Sequence, residues 1–303
     1  MNKSCLIGFL MCSAFSLVVQ AATDGAHITK TISQIERKKG IKRTIQYRPD
    51  GNDFVCVNGK NRYTRALYGG ITDFRIETSD RPVFAAYKPK DSKHICFRLQ
   101  CGNQSIALDS LKFCEARYRA GRRTYRLTDP LLGKGELNIS VLAFPDAEGG
   151  IWRFTMKDMP EGALLHCYIS EIRAKNLSRN GDMGADRADS FDAPQLPKEQ
   201  KHYKLSLDGT TAYIVVEDQE LRLPALVEGT SLYDKSEKWR SEIESSLQIS
   251  TPDPYFNPLG GALAAAADGI WDGKIWLHGA IGWRSQLNGW RAAYIGDFIG
   301  WHD

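Results

Sequence analysis

Hydrophobic and polar residues alternate along most of the first two thirds of the chain. In residues 112–120, Cys114, Ala116 and Tyr118 fall on one side of an extended backbone and Glu115 and Arg117 on the other. Such runs are short, are separated by turn residues and have no helical periods between them, which predicts an antiparallel β-sandwich. The predicted strands are Ile41–Tyr47, Phe54–Val57, Val83–Tyr87, His94–Cys101, Ser105–Leu108, Lys112–Ala120, Arg123–Leu127, Glu136–Ala143, Gly150–Met156, Ala163–Arg173, Tyr203–Leu207 and Ala212–Glu217.

Turn residues between these runs predict hairpins. The segment Arg48-Pro49-Asp50-Gly51-Asn52 joins the first two strands, and Asp208-Gly209 joins the last two. A turn at Ala120-Gly121 places Arg117, Arg119, Arg122, Thr124 and Arg126 on one charged face. This face is either an ordinary solvated sheet surface or a surface for carboxylated ligands, which arginine binds with two parallel hydrogen bonds.

The period becomes helical after the strands. Trp239, Ile243 and Leu247 lie four residues apart on one stripe, and a second helix is predicted with Asn257 as its cap and Pro258 in its first turn. Leu259, Leu263 and Ile270 share one face of this second helix, and a third begins near Asn288. The predicted domains are a sandwich at 22–230 with a polar loop at about 177–201, a linker helix at 231–256, and the start of a helical domain at 257–303.

Composition and charge narrow the class of protein. Of 303 residues, 42% are apolar and 25% charged, and the net charge of +4 is too balanced to indicate nucleic acid or a membrane surface as the main partner. Lys3, an apolar run over residues 5–19 and Val19-Gln20-Ala21 resemble a cleaved signal peptide at 1–21, which predicts a periplasmic or extracellular protein. This run is shorter than a membrane span, and no later segment is apolar enough to be one.

Five cysteines remain after residue 21, namely Cys56, Cys96, Cys101, Cys114 and Cys167. They allow either one or two disulfides or buried free thiols. The sequence contains no CxxC or HExxH motif, so we predict no metal site and no cofactor.

The last 33 residues contain most of the tryptophans, interleaved with glycine, arginine and histidine. Flat aromatic faces beside polar side chains suit the stacking and hydrogen bonding of sugars, although tryptophan also serves as ordinary core or interface packing. On a helix, Trp290, Tyr294, Asp297 and Trp301 share one stripe. Removal of the Asp297 carboxylate from water among these rings would suit a general acid, so Asp297 is the candidate catalytic residue. The candidate substrate-binding residues are Trp276, His278, Trp283, Arg284, Trp290, Arg291, Trp301 and His302.

The segment from Asn257 to Asp303, NPLGGALAAAADGIWDGKIWLHGAIGWRSQLNGWRAAYIGDFIGWHD, resembles the entry into the helical barrel of the six-hairpin glycosidase superfamily. It is most similar to a secreted Bacteroidota family of formerly unknown function, whose β domain the segment NGKNRYTRALYGG at 58–70 also resembles. The resemblance implies a β-sandwich packed against an (α/α)6 barrel that hydrolyses glycosidic bonds by acid/base catalysis.

A complete barrel needs several hundred residues, whereas about 45 follow Asn257. We therefore expect the N-terminal portion of a glycoside hydrolase that acts on plant-type polysaccharides, with little activity in this fragment and its second catalytic carboxylate elsewhere. The alternative is a non-catalytic carbohydrate-binding or accessory module that holds acidic glycans through the arginine face. A uronate lyase would also fit helical-barrel architecture, but we find no Tyr/His/Arg constellation for it.

Overall fold

The computed structural model describes residues 46–88, 92–171 and 202–278, together with residues 294, 296, 297 and 300. Within these ranges the chain forms mainly β-strands, two α-helices and two short 3-10 helices at Leu108–Ser110 and Pro130–Leu132. The predicted signal peptide at 1–21 and the polar loop at about 177–201 lie outside the described residues. The strands, in chain order, are β1 Arg48–Asp50, β2 Asp53–Val57, β3 Arg65–Tyr68, β4 Arg75–Thr78, β5 Phe84–Tyr87, β6 Lys93–Cys101, β7 Gln104–Ala107, β8 Phe113–Arg119, β9 Arg122–Thr128, β10 Glu136–Ala143, β11 Gly149–Lys157, β12 Leu164–Glu171, β13 Tyr203–Ser206, β14 Thr211–Glu217 and β15 Glu220–Arg222.

The strands form two antiparallel sheets. Sheet A has the order β1-β2-β8-β9-β10-β11-β14-β15, and sheet B has the order β13-β12-β6-β5-β4-β3, with β7 paired to β6. The sheets face each other across one hydrophobic core to which both contribute. The predicted antiparallel sandwich is therefore confirmed.

Edge-to-face aromatic contacts join the two sheets at the centre of this core. The Phe84 ring of sheet B lies 5.7 Å from Trp152 and 5.6 Å from Tyr125 of sheet A, measured between ring centroids. Phe97 of sheet B similarly contacts Phe154 at 5.5 Å. Such pairs contribute about 0.5–1.5 kcal/mol each beyond the burial of their area. The alternation in β9 and β11 therefore aims its large apolar side chains at the opposite sheet.

The first hairpin is tighter than predicted, because Arg48 and Asp50 belong to strand β1 and only Gly51 and Asn52 form the turn. Gly51 has a φ of +59°, which favours glycine. Pro49 is tolerated in β1 because that strand lies at the edge of sheet A.

The predicted hairpin at Asp208-Gly209 is wrong. Strand β13 pairs with β12 in sheet B, whereas β14 pairs with β11 in sheet A. Asp208-Gly209 therefore carries the chain from one sheet to the other, with Leu207 buried between them.

Strands β3, β4 and β15 match no predicted strand, and β1 lies in the segment predicted as a turn, after the predicted strand Ile41–Tyr47, of which residues 41–45 lie outside the described residues. Strands β3 and β4 have four residues each, and each places a single large aliphatic side chain in the core, Leu67 and Ile76 respectively. Such short runs carry too little alternation to be recognised.

Helix α1, Leu226–Ser245, packs on the outer face of sheet A. It begins earlier than the predicted linker helix, and its buried stripe is Gly229, Tyr233, Ser236 and Arg240 instead of Trp239, Ile243 and Leu247. A Cβ atom at Gly229 would lie 2.4 Å from the Tyr213 ring, so glycine permits this close approach. The predicted apolar stripe is wrong because α1 contacts sheet A through Tyr233, which packs on an apolar cluster, and through charged pairs near Arg240.

Helix α2, Leu259–Asp268, crosses α1 through small side chains. Its buried residues are Gly260, Ala264 and Ala267, whereas Leu263 of the predicted apolar face is exposed. Asn257 does not cap α2. Its side-chain oxygen accepts a hydrogen bond from the backbone of Thr251 at 2.7 Å, which fixes the connection between the helices.

All five cysteines of the described residues are free thiols, as in one of the two predicted alternatives. Burial raises the pKa of Cys96 and of Cys114 to about 12, so these thiols serve as apolar core groups. Neither helix in the described ranges has the length and apolarity needed to cross a membrane.

Candidate functional site

Three of the nine predicted site residues lie in the described part of the chain, namely Trp276, His278 and Asp297. His278 is exposed, and Asp297 is exposed in a helical segment. The remaining six predicted site residues lie outside the described residues, and they are Trp283, Arg284, Trp290, Arg291, Trp301 and His302.

Trp276 belongs to a tight hairpin that follows α2, which we call the tryptophan hairpin (residues 270–277). Its two tryptophans, Trp271 and Trp276, pair across it with ring centroids 4.5 Å apart. The Asp272 side chain closes the turn by accepting hydrogen bonds from the backbone of Lys274 at 2.9 Å and of Ile275 at 2.8 Å. These backbone hydrogen bonds also lower the pKa of Asp272. Asp272 is therefore a turn residue, as its Asp-Gly sequence indicates.

The tryptophan hairpin docks on the outer face of sheet B. Ile270 packs against a cluster that includes Tyr63, Val83 and Tyr87. A Cβ atom at Gly269 would lie 2.4 Å from Tyr68, so the chain enters the hairpin in close contact with the sheet.

Asp268, the last residue of α2, stands directly before this hairpin. Its backbone oxygen accepts a hydrogen bond from Trp271 at 3.0 Å. Burial raises the pKa of its carboxyl group to about 6. A carboxylic acid that is partly protonated near neutral pH can donate a proton, which is the property required of a general acid. Asp268 is not among the predicted site residues, because Asp-Gly after a helix is ordinary turn chemistry and the sequence alone does not show the burial.

The predicted arginine face exists on the outer side of sheet A. Arg117 stands opposite Thr124, and Arg119 opposite Arg122, in the register of β8 and β9. Arg117 contacts Asp50 at 2.8 Å and Glu115 at 2.8 Å. Arg126 lies 3.2 Å from Glu115 and 3.4 Å from Glu136. Arg117 and Arg126 are thus neutralised by carboxylates of the sheet itself.

The two arginines beside the Ala120-Gly121 turn pair with helix α1. Arg119 contacts Glu244 and Arg122 contacts Glu237, each at 2.8 Å. Arg240 lies between these glutamates, at 2.7 Å from each, and donates a hydrogen bond to the Ala120 backbone at 2.9 Å. Alternating charges therefore attach α1 to the β8–β9 hairpin.

Beyond these pairs, the outer face of sheet A forms an open cleft of about 340 Å³. Its residues alternate along β8–β11, so small polar side chains lie between the arginines. The lining includes Thr124, Asn138, Ser140, Arg153 and Thr155. Arg153 was missed by the sequence analysis, although the alternation of Gly150–Met156 places it opposite the buried Trp152 and Phe154.

Residues 89–217 match the family described as a domain of unknown function, DUF4450. No curated protein matches the chain.

The segment similar to DUF4450 covers β6–β14 and so includes the cleft and Arg153. Helices α1 and α2, Asp268 and the tryptophan hairpin all follow it in the sequence. The two candidate regions therefore differ: the cleft belongs to the part similar to this family, and the tryptophan hairpin does not.

The segment 58–70 lies outside the match with DUF4450, and the structure gives its polar residues a structural role. The Asp80 side chain accepts hydrogen bonds from the Asn61 backbone at 2.9 Å and from Thr64 at 3.0 Å, and it also contacts the Tyr47 hydroxyl. Arg123, fully buried with Asp80, lies 3.9 Å from it. Asp80 therefore fixes this segment beside the buried Arg123, and Tyr63 of the segment packs in the cluster on the outer face of sheet B.

No grouping of three or more His, Cys, Asp or Glu side chains that could hold a metal ion occurs in the ranges the structure describes.

Proposed function

We propose that this chain is the N-terminal portion of a secreted glycoside hydrolase of the six-hairpin type, in which the β-sandwich supports a helical domain that begins with α2. The observation that carries the proposal is the position of Asp268, a half-buried carboxyl group with a raised pKa, directly before the Trp271–Trp276 pair. Indole rings offer apolar faces on which sugar rings can stack, and a protonated carboxyl group can donate to the leaving oxygen.

Asp268 joins Asp297 as a candidate general acid. A glycosidase also needs a second carboxylate to activate water or to attack the sugar. The resemblance of residues 257–303 to the six-hairpin glycosidases supports the same reaction class and an (α/α)6 barrel.

The test is hydrolysis of a panel of plant-polysaccharide oligosaccharides by the chain and by a longer homologous protein. We expect little activity from the 303-residue chain. In the longer protein we expect Asp268→Asn, at the matching position, to lower kcat about 100-fold or more. The wild-type rate should fall as the pH rises through about 6, because the proton donor is lost. Asp272→Asn is the matched control, because it changes a neighbouring turn carboxylate.

Full activity of Asp268→Asn with loss of activity in Asp297→Asn would assign the general acid to Asp297 alone. Full activity of both variants would contradict both assignments. Absence of hydrolysis in the longer protein for every saccharide tested would argue against the hydrolase and for the accessory carbohydrate-binding module, the second candidate, which the polar cleft on sheet A favours.

A further inference from the structure

The cleft on sheet A has a floor built from one row of side chains that crosses five strands. Arg117, Thr124, Ser140, Arg153 and Tyr213 stand side by side in the registers of β8, β9, β10, β11 and β14. The next row places Glu115, Arg126, Asn138 and Thr155 beside it. Short hydroxyl and amide side chains therefore form the middle of the floor, with guanidinium groups on both sides.

Helix α1 closes one side of the cleft and positions Arg153. Tyr233 of α1 packs on an apolar cluster that includes Leu142 and Ile151, in the row beyond. Its hydroxyl lies 2.7 Å from the Ser140 hydroxyl oxygen, in hydrogen-bond contact. The Arg153 guanidinium stacks 3.9 Å from the centre of the Tyr233 ring. A stacked guanidinium is held in one orientation while its N–H groups remain available in its plane.

Arg153 differs from its neighbours in having no carboxylate partner within the ranges that the structure describes. Arg117, Arg122 and Arg126 each contact at least one carboxylate in the same outer layer. Arg122 in addition has its Nε atom buried without a hydrogen-bond partner in those ranges. The cleft therefore contains the guanidinium group of Arg153 and the buried Nε–H group of Arg122, and no protein group of the described residues pairs with either as a carboxylate or hydrogen-bond acceptor.

One negative charge lines the cleft, and it is already compensated. Glu115 lies between Arg117 and Arg126, and the hydrogen bond from Arg117 lowers its pKa. Glu115 is thus a fixed acceptor for these arginines, and the uncompensated charge in the cleft is that of Arg153.

We propose that this cleft binds an acidic saccharide, with the carboxylate of a uronic acid unit on the Arg153 guanidinium and the sugar hydroxyls on Thr124, Asn138 and Thr155. The planar fork of arginine matches a carboxylate with two parallel hydrogen bonds. A volume of about 340 Å³ lies within the range of small-molecule sites. The saccharide part of the proposal rests on the proposed function, whereas the anion part rests on the cleft alone.

The site is distinct from Asp268 and the tryptophan hairpin, which lie on the side of sheet B. Binding in the cleft therefore does not require hydrolysis. A polysaccharide held on sheet A would keep the protein on an acidic substrate while other parts of the molecule act on it.

The experiment is titration calorimetry of the full chain with oligogalacturonate and with the same oligosaccharide after reduction of its carboxyl groups. We expect binding of the acidic form only. Arg153→Ala should weaken it about 10- to 100-fold, the usual effect of removing a hydrogen-bonded charge. Arg153→Lys, which keeps the charge but not the fork, should recover only part of the affinity. The matched control is Arg98→Ala, which removes the same charge from sheet B.

Far-UV circular dichroism of each variant verifies folding, and Arg153→Lys provides a test if the alanine variant is unfolded. The site would be overturned if both Arg153 variants bound oligogalacturonate as tightly as the wild type. It would also be overturned if Arg98→Ala weakened binding as much as Arg153→Ala. Absence of oligogalacturonate binding would overturn it as well.

A sulfated galactan oligosaccharide that binds in place of the uronate would overturn the carboxylate assignment. Glutarate that binds as tightly as oligogalacturonate, with the same loss in Arg153→Ala, would overturn the saccharide part alone. Uronate binding by the chain together with absence of hydrolysis by the longer protein would contradict the hydrolase but not the cleft.

Discussion

The two outer faces of the sandwich are covered in different ways. On sheet B, the outer face around β5 is buried under irregular chain, and Ala85, Tyr87 and His94 there are at most 2% exposed. The outer face of sheet A carries arginine, threonine and asparagine, and α1 covers only part of it. Loops need apolar contacts to be held on a sheet, because they provide few backbone hydrogen bonds to it. A helix satisfies most of its own backbone and here needs only one apolar cluster around Tyr233 to be held on sheet A, which leaves the polar residues beside it to form a cleft.

The strongest test of this comparison is removal of the Asp80 carboxylate, which holds the segment that covers sheet B with Tyr63. Asp80→Ala leaves Arg123 fully buried without its carboxylate and removes the acceptor for Asn61 and Thr64. We expect the free energy of unfolding to fall by about 3–5 kcal/mol, as for other broken buried ion pairs. Urea unfolding followed by tryptophan fluorescence measures it.

The matched control is Asp50→Ala, which removes the exposed carboxylate that pairs with Arg117 on the outer face of sheet A. That change should cost about 1 kcal/mol or less, because exposed ion pairs contribute little. Similar losses for the two variants would mean that the Asp80 network is no more important than a surface pair.

The sequence predicted the sandwich because alternation along each strand is a local property. It predicted the bounds of β10, Glu136–Ala143, without error and those of most strands to within two residues. The partner of a strand is not a local property. Asp208-Gly209 has the residues of a hairpin, yet β13 pairs with β12 in sheet B and β14 pairs with β11 in sheet A.

The second prediction concerns the contact between α1 and sheet A. Gly229→Ala would ordinarily stabilise a helix by about 1 kcal/mol. Here the added Cβ would lie 2.4–2.7 Å from three atoms of the Tyr213 side chain, which is itself buried. Overpacking of this kind costs about 1–3 kcal/mol. We therefore expect a net loss of up to about 2 kcal/mol in urea unfolding.

Gly209→Ala is the control for this change, since a Cβ atom there meets nothing within 4 Å. It should alter the free energy of unfolding by no more than about 0.5 kcal/mol. Stabilisation by Gly229→Ala would show that α1 can move away from the sheet and that the cleft wall is not fixed.

The candidate sites show the same limit of sequence reasoning. The outward position of Arg153 follows from the alternation of its strand, but its lack of a carboxylate partner depends on four other strands and on α1. Arg117 and Arg119 were the more obvious candidates in the sequence, and the fold provides both with carboxylates. Asp268 was not predicted because the burial of its carboxyl group is a property of the folded chain that an Asp-Gly sequence does not show.

The smallest expected effect is a pH dependence in the charged contacts that hold α1 on sheet A. Burial alone would raise the pKa of Glu244, but hydrogen bonds from Arg119 and Arg240 outweigh it and keep the pKa below the ordinary 4.5. A carboxyl group with a lowered folded-state pKa stabilises the fold above its unfolded pKa, and this stabilisation is lost as the pH falls through the folded value. Glu244→Gln should therefore cost about 1 kcal/mol at pH 7. The difference from wild type should shrink below pH 4.5. Urea unfolding of both proteins at pH 7 and at about pH 3 measures it, with the exposed Glu242→Gln as the control. A difference that is unchanged at low pH would mean that Glu244 contributes through its shape and packing instead of its charge, and that α1 is held on sheet A mainly by Tyr233 and its apolar neighbours.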